Sequence, residues 1–315
     1  MKPEPSLDDL RVFVLVARLG NFTRVAQHLQ TAPSAVSMAI GRLEAQLGAR
    51  LFQRTTRTVV PTDEGLALLA RAERVLEDVD EMSALFQQAD SPLSGRLRVD
   101  MPLGMAAGIV MQMLPQFLAH HPDLELEVCS TDRRVDVIAD GFDCVVRVGT
   151  VVDETLVCRP LGLLALCNVA SPPYIAEHGA PRDLPALAAH YIVNYAPNAS
   201  THAAQFDYLD GALPRSIAMR HRITVNNSAA CGAACRAGFG IAQLPLFSVE
   251  GHLASGALVQ LLPRHVPAPM AINLLYPHRR NVPRRVRVFG DWLADVLAAS
   301  MAADSAESGQ GKNLL

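Results

Sequence analysis

Residues 91–95, Ser-Pro-Leu-Ser-Gly, divide this chain between two hydrophobic periods that cannot belong to one kind of structure. Before them apolar residues recur every three or four positions, the signature of helices with one buried face. After them short alternating apolar runs are interleaved with helical stretches, the pattern of repeated βα units. A Pro/Ser/Gly linker between two such patterns predicts an α-rich module followed by an α/β body. A chain of 315 residues is long enough for both.

In the first part, Ser6 followed by Asp9 reads as the start of a helix, continued by Leu7, Leu10, Val14 and Ala17 and ended by Gly20-Asn21. Thr23 opens a second short helix through Leu29. Pro33 and Ser34 start a third, which carries Val36, Ile40, Leu43 and Leu47 and stops at Gly48. Three short helices with tight turns predict a helix-turn-helix, the third being its recognition helix. Residues Thr55 to Val60 are β-branched apart from Arg57, and Pro61 is read as their stop, so a small strand pair or wing is expected. Thr62 then caps a long helix, with Asp63 and Glu64 at its positive end. Along it Leu68, Ala72, Val75, Val79, Met82 and Phe86 follow coiled-coil spacing. Leu68, Val75, Val79, Met82 and Phe86 are therefore candidate dimerisation residues; packing of this stripe on its own domain is the alternative.

Beyond the linker, alternation at Leu97, Val99 and Met101 leads into a helical run ending at His121-Pro122, His120-His121 being read as an exposed helix end. A strand through Leu124, Leu126 and Val128, a short helix stopping at Gly141 and a buried strand Cys144–Gly149 follow. From about Leu161 a second series begins, with a helix at 228–238 and a last helix ending near residue 300. A mostly parallel sheet covered by helices is the expectation. The Ala/Ser/Asp/Glu/Gly tail, 301–315, reads as disordered.

Charge separates the same two parts. Residues 1–62 carry a formal +4, leaving −7 for the remainder of a chain at −3 overall. Such asymmetry suggests a nucleic-acid module attached to something else. The first nine residues contain no apolar signal core, and no apolar run approaches the ~20 residues a membrane span needs. Six cysteines without regular spacing read as reduced thiols, placing the protein in the cytoplasm. Cys231 and Cys235 share a helix face without a cation before Arg236, so packing is preferred over peroxide sensing. No metal spacing or cofactor motif is found among the histidines or elsewhere.

The stretch from Leu7 to Gly65 holds Phe22-Thr23-x-x-Ala26, Ser34-Ala35-Val36-Ser37, Arg42-Leu43-Glu44, Leu47-Gly48-x-x-Leu51-Phe52-x-Arg54 and Thr62-x-x-Gly65. It resembles the winged helix-turn-helix of LysR-type transcriptional regulators. The segments GFDCVVRVG, SPPYIAEHG and GFGIAQLP are similar to that family's ligand-sensing domain, which resembles periplasmic binding proteins: two α/β lobes joined by crossing strands, with the effector in the cleft. Two departures stand out. Met38 occupies a place where the family usually has Arg, Lys, His or Gln, and an apolar contact to a thymine methyl would replace that base reader. Gly104 stands two residues after Pro102, where related sensors often carry Ser or Thr, so a hydroxyl for an effector carboxylate is absent.

The resemblance and the charge pattern together give the expected sites. Thr23, Ser34, Ser37, Met38, Arg42, Arg50, Arg54 and Arg57 are candidate contacts to double-stranded DNA, with small side chains on the third helix and arginines on or near the wing. Ser34 as a plain helix cap, and the arginines as a solvated face, are the alternatives. Ligands in open α/β sheets bind beyond the carboxyl ends of strands and near helix N-termini. That rule selects Pro102, Leu103, Gly104, Met105, Arg147, Gly149, Thr150, Tyr195, Asn226, Asn227 and Ser228 for a small-molecule effector. Plain N-capping by Asn227-Ser228 and a buried ion pair at Arg147 are the competing readings.

The expected architecture is a winged helix-turn-helix over 1–62, a dimerisation helix over 63–90 and a two-lobed α/β sensor over 91–300. Its first lobe spans about 95–163 and 269–300, and its second about 164–268. The expected activity is effector-modulated DNA binding by a homodimer or homotetramer. A solute-binding protein without a DNA role is the alternative; an enzyme would need a convergent acid, base or nucleophile set that the sequence does not offer.

Overall fold

The computed structural model describes residues 4–54, 59–84, 91–151, 153, 155–197, 203–277 and 282–310, excluding the side chains of Arg54, Glu77, Asp80, Glu81, Ser83, Ala84 and 302–310. The chain forms two compact units, 1–91 and 92–315.

The first unit is built from α1 (Leu7–Leu19), α2 (Phe22–His28), α3 (Pro33–Leu47), the strands β1 (Phe52–Arg54) and β2 (Val59–Pro61), and α4 (Asp63–Ala84). Ser6 caps α1 by accepting from the Asp9 N–H, and Gly20, at φ 61°, closes it in the left-handed conformation. Asn21, expected to end α1, instead caps α2, accepting from Thr23 N and Arg24 N at 2.8 and 3.1 Å. Phe13, Val16, Val25, Ile40 and Leu43 have no exposed surface and form the core with Leu51 and Phe52. The wing strands pair antiparallel with Phe52 opposite Pro61, so Pro61 lies inside the second strand rather than stopping it. The tip, with Arg57, lies outside the described residues.

Thr62 caps α4 as expected: its Oγ accepts from Gly65 N (3.0 Å) and donates to the Arg50 carbonyl (2.7 Å). The Thr62-x-x-Gly65 motif has a steric cause as well. A Cβ on Gly65 would sit 2.2 Å from the Leu51 carbonyl oxygen, which itself accepts from Thr62 N. The stripe on α4 divides. Ala72 is buried and Leu68 packs on the unit's own core with Leu69 and Leu76, whereas Val75 and Met82 are exposed. Leu68 is half-buried and packs on the unit's own core, as the alternative reading of the stripe had it, because the first half of α4 is held against α1. Val79 is half-buried, and Phe86 lies outside the described residues.

The second unit holds a five-stranded sheet in the order β4-β3-β5-β14-β6, from β3 (Ser94–Met101), β4 (Asp123–Ser130), β5 (Cys144–Val148), β6 (Leu156–Leu164) and β14 (Met270–Pro277). β3 runs parallel to β4 and β5, but β14 is antiparallel to both β5 and β6. The sheet is therefore mixed rather than mostly parallel: β6 carries the chain out toward the second half and β14 brings it back alongside. Between β3 and β4, α5 (Leu103–Met105) passes through a π-helical turn, Ala106–Val110, into α6 (Met111–His120). The short helix expected before Gly141 is a single hydrogen-bonded turn, because the Asp136 carboxylate takes the N–H groups of Ile138 and Ala139.

The second half of this unit contains β7 (Leu166–Ala170), α7 (Pro172–His178), β8 (Asn194–Tyr195), β9 (Gln205–Asp210), β10 (Leu213–Ala218), β11 (Thr224–Val225), α8 (Ser228–Arg236), β12 (Ala242–Pro245), α9 (Leu246–Ala254) and β13 (Val259–Gln260). β12, β7 and β13 form an antiparallel sheet; β8 and β11 pair in parallel. The β9–β10 hairpin is an element the sequence pattern did not lead us to expect, although Asp210-Gly211 between apolar runs is a strong turn signal. α10 (Arg284–Gln310) packs Phe289, Leu293 and Leu297 on the five-stranded sheet. Its backbone continues as helix through Gln310, into residues expected to be disordered; residues 311–315 lie outside the described set.

Candidate DNA interface and sensor cleft

Two surfaces bring sequence-predicted residues together. The first is the leading end of α3. Its N-cap is Ala32, which offers no side-chain hydrogen bond, and Pro33 occupies the first turn. Ser34 therefore lies one position inside the helix and is not its cap, which corrects that alternative. Ser34 and Met38 are exposed, Met38 by 59%, and Ser37 is half-buried. Thr23 and Arg50 are exposed; the Arg54 backbone lies in β1. An α-helix leaves its first N–H groups without intrahelical partners, and α3 has no side chain of its own cap to take them.

The Arg42 guanidinium donates to both carboxylate oxygens of Asp9, Nη2 to Oδ1 at 2.6 Å and Nε to Oδ2 at 3.3 Å. Asp9 is almost completely buried, so this bidentate pair ties α3 to α1, and the carboxylate holds the Arg42 pKa above its ordinary value. Arg42 thus has a scaffold role, since releasing it would leave a buried carboxylate unpaired, while its side chain stays 58% exposed. Glu44 is also structural. Its Oε1 accepts from Leu51 N at 2.8 Å and Phe52 N at 3.4 Å, fixing the entry to the wing. The Arg42-Leu43-Glu44 motif is thus one ion pair, one core side chain and one loop clamp.

The second surface is a cleft of about 810 Å³ in the sensor unit. It is lined by Pro102, Gly104, Met105, Arg147, Thr150, Tyr195 and Ser228 among the expected residues. Leu103, Gly149, Asn226 and Asn227 do not line it, for local reasons. Gly149 is held through its backbone, its N–H donating to the Ala271 carbonyl and its carbonyl accepting from the Asn273 side-chain amide. Asn227 caps α8 through Ala230 N at 2.8 Å, and its amide is paired with Asn226. Arg147 pairs with Asp100, whose residue is wholly buried. Burial raises the Asp100 pKa and the Arg147 guanidinium opposes that rise.

The residue that organises the cleft was not among those expected. Asp132 follows β4, and its Oδ1 accepts from Leu103 N at 3.0 Å. Its Oδ2 accepts from Ser228 N at 2.7 Å and from the Tyr195 hydroxyl at 3.2 Å. Burial, then the Asp132 carboxylate, raises the Tyr195 phenol above its ordinary pKa. The strand-end rule that selected Pro102 and Thr150 applies equally to residue 132, but it was used there to look for groups that receive an anion, and Asp132 supplies one. Beside it, a Cβ on Gly104 would lie 3.0 Å from the buried Ser228 Oγ, so the hydroxyl missing at 104 would have little room.

Comparison with known proteins decides the family. Residues 7–66 match the family model for the "bacterial regulatory helix-turn-helix protein, lysR family", and residues 90–298 match the "LysR substrate binding domain". This chain belongs to the LysR family of transcriptional regulators. It is a DNA-binding regulator with a C-terminal effector-binding domain. It is 40% identical over 288 residues to the uncharacterized HTH-type transcriptional regulator YhjC of Escherichia coli K12, covering 91% of this chain and 96% of that one. It is 33% identical to the E. coli regulator DmlR, over 93% and 95% of the two chains. The solved structure of CrgA, a LysR-type regulator from Neisseria meningitidis, matches at 29% identity and TM-score 0.57, over 93% of this regulator and 99% of that chain. The mixed α/β sensor fold behind an N-terminal helix-turn-helix is that of the family.

Among the described residues no helix is long and apolar enough to cross a membrane, and no group of three or more His, Cys, Asp or Glu is placed to hold a metal ion. Cys231 and Cys235 are buried, and burial pushes both thiols up to about 12. His121, expected at an exposed helix end, is half-buried: its Nδ1 accepts from Leu93 N at 3.1 Å, and burial lowers its pKa.

Proposed function

We propose that this regulator inserts the leading end of α3 into the major groove of duplex DNA, as a homodimer or a higher homo-oligomer, in the cytoplasm. Thr23, Ser34, Ser37 and Met38 face the bases and nearby phosphates, while Arg50, Arg54 and Arg57 reach phosphate or the minor groove. Arg42 serves as a brace. The single observation that carries this reading is the uncapped N-terminus of α3, where exposed Ser34 and Met38 leave the helix end open to a backbone phosphate. The exposed Val75 and Met82 on the second half of α4 support pairing of that helix with a second copy. The domain limits follow: DNA-binding unit 1–62, dimerisation helix 63–90, sensor 91–300 with lobes near 95–163 plus 269–300 and 164–268.

The cleft binds a small molecule and alters DNA affinity only by as much as that molecule distinguishes two states of the protein. No catalytic step is assigned to it. Gel-shift titration of the full chain on DNA upstream of its own gene tests the reading. The expected result is specific binding that weakens steeply with salt, losing on the order of 10³-fold between 50 and 200 mM for six phosphate contacts. Binding that is absent or indifferent to salt overturns it.

A further inference from the structure

We infer that Asp132 is a resident anion filling the carboxylate-binding corner of the sensor cleft, so that the effector of this regulator is uncharged at that end and held mainly by apolar contact. The inference rests on reading the cleft as the effector site. One carboxylate there receives three donors: Leu103 N–H, Ser228 N–H and the Tyr195 hydroxyl. Two backbone N–H groups at helix starts and a phenol are the set an incoming carboxylate would require. The donors come from both halves of the sensor, Leu103 after β3 and Tyr195 and Ser228 from β8 and α8. Asp132 therefore spans the cleft as a bound anion would, while being covalently part of the protein.

The rest of the lining agrees. Arg147 is paired with Asp100, and the further charges of the lining balance, the carboxylates of Asp153 and Asp207 against the guanidinium groups of Arg134 and Arg236, the latter meeting His252 Nε2 at 3.2 Å. At the Asp132 corner an anionic ligand would find two backbone N–H groups and the phenol already taken. Apolar groups dominate what remains, including Val135, Val137, Leu156, Leu166, Phe247 and Met270. A cavity of about 810 Å³ with such walls accepts a neutral molecule of substantial size.

Thermal melting of the full chain tests this, in sodium acetate against sodium chloride of equal concentration, for the native protein, Asp132→Ala and Asp132→Asn. The native protein should melt alike in both salts. Asp132→Ala should melt several degrees lower in chloride, with acetate restoring most of the loss saturably, because acetate can occupy the vacated corner. Asp132→Asn, whose amide still fills the space, should show no such restoration. Saturable stabilisation of the native protein by acetate, equal acetate effects on all three proteins, or Asp132→Ala melting like the native chain in chloride would each overturn the inference. Should Asp132→Ala be recovered only unfolded, refolding in acetate but not in chloride supports it, and failure in both overturns it. On the native chain, benzamide should raise the melting temperature at least as much as benzoate; a larger saturable shift with benzoate overturns the ligand class. Gel shifts on the same samples keep the two readings apart, since loss of DNA binding by the native protein sinks the proposed function and leaves the acetate result standing.

Discussion

The start of α3 in the DNA-binding unit and the starts of α5 and α8 in the sensor are treated in opposite ways. In the DNA-binding unit, α3 begins at Ala32-Pro33 with no side-chain cap and an exposed Ser34. In the sensor, the starts of α5 and α8 are closed by the protein's own oxygens, Asp132 on Leu103 and Ser228, and Asn227 on Ala230. Free N–H groups at a helix start attract anions in either setting. Leaving them open suits a surface meant for phosphate; closing them suits a cleft that does not recognise its ligand by charge. The same local motif thus has two meanings, and the difference lies in what the tertiary structure brings to it.

That contrast can be broken by changing either side. Ser34→Glu places a negative charge at the open end of α3 and should weaken DNA binding roughly 100-fold, about 3 kcal/mol, in gel shifts, with little change in melting temperature. A variant that binds DNA as well as the native chain would remove α3 from the interface. Asp132→Asn keeps the shape but loses the charge-assisted bonds, and should cost the sensor about 1–2 kcal/mol in urea unfolding; an unchanged midpoint would mean the carboxylate contributes nothing to closure. Ala32→Ser supplies the missing cap. It should stabilise the first unit by about 1 kcal/mol while lowering DNA affinity several-fold, because the new hydroxyl competes for the N–H groups. A gain in both quantities would dissolve the contrast.

The smallest effect concerns pH. Burial lowers the folded-state pKa of His121, so its contribution is present above the unfolded value near 6.5 and is lost as pH falls through that value toward the folded pKa. His190 behaves the same way, burial being the first cause. Sensor stability should therefore decline from pH 7 to pH 5. His121→Asn, whose amide oxygen can accept from Leu93 N without titrating, should flatten that decline. An identical pH profile for the variant would assign it to other groups.

Residues whose meaning depends on near neighbours were readable in advance. Ser6, Thr62 and Gly20 act within three or four positions of themselves, and the three-helix order with its wing followed from periods and caps. Other residues take their partners from far away in the chain. Arg42 meets Asp9 across 33 positions, and Asp132 meets Tyr195 and Ser228 across 63 and 96. Nothing in the local pattern distinguishes an arginine bound for DNA from one bound for a buried carboxylate, because both sit on a polar helix face. The direction of β14 was hidden for a similar reason: a buried strand reads alike in parallel and antiparallel sheets, and its direction is set by where the chain returns from.

By itself, the amino-acid order determined the two-unit plan, the helix-turn-helix and the family, since these depend on short-range periodicity, capping and steric demands such as Gly65 under Leu51. Only the tertiary structure decided that Arg42 is a brace, that Leu68 packs on the unit's own core and that the Asp132 carboxylate takes the donors at the cleft's helix starts. Those outcomes turn on which distant group arrives first at a charge or an apolar face, and hydrogen bonds and ion pairs form by proximity in space, whatever the separation along the chain.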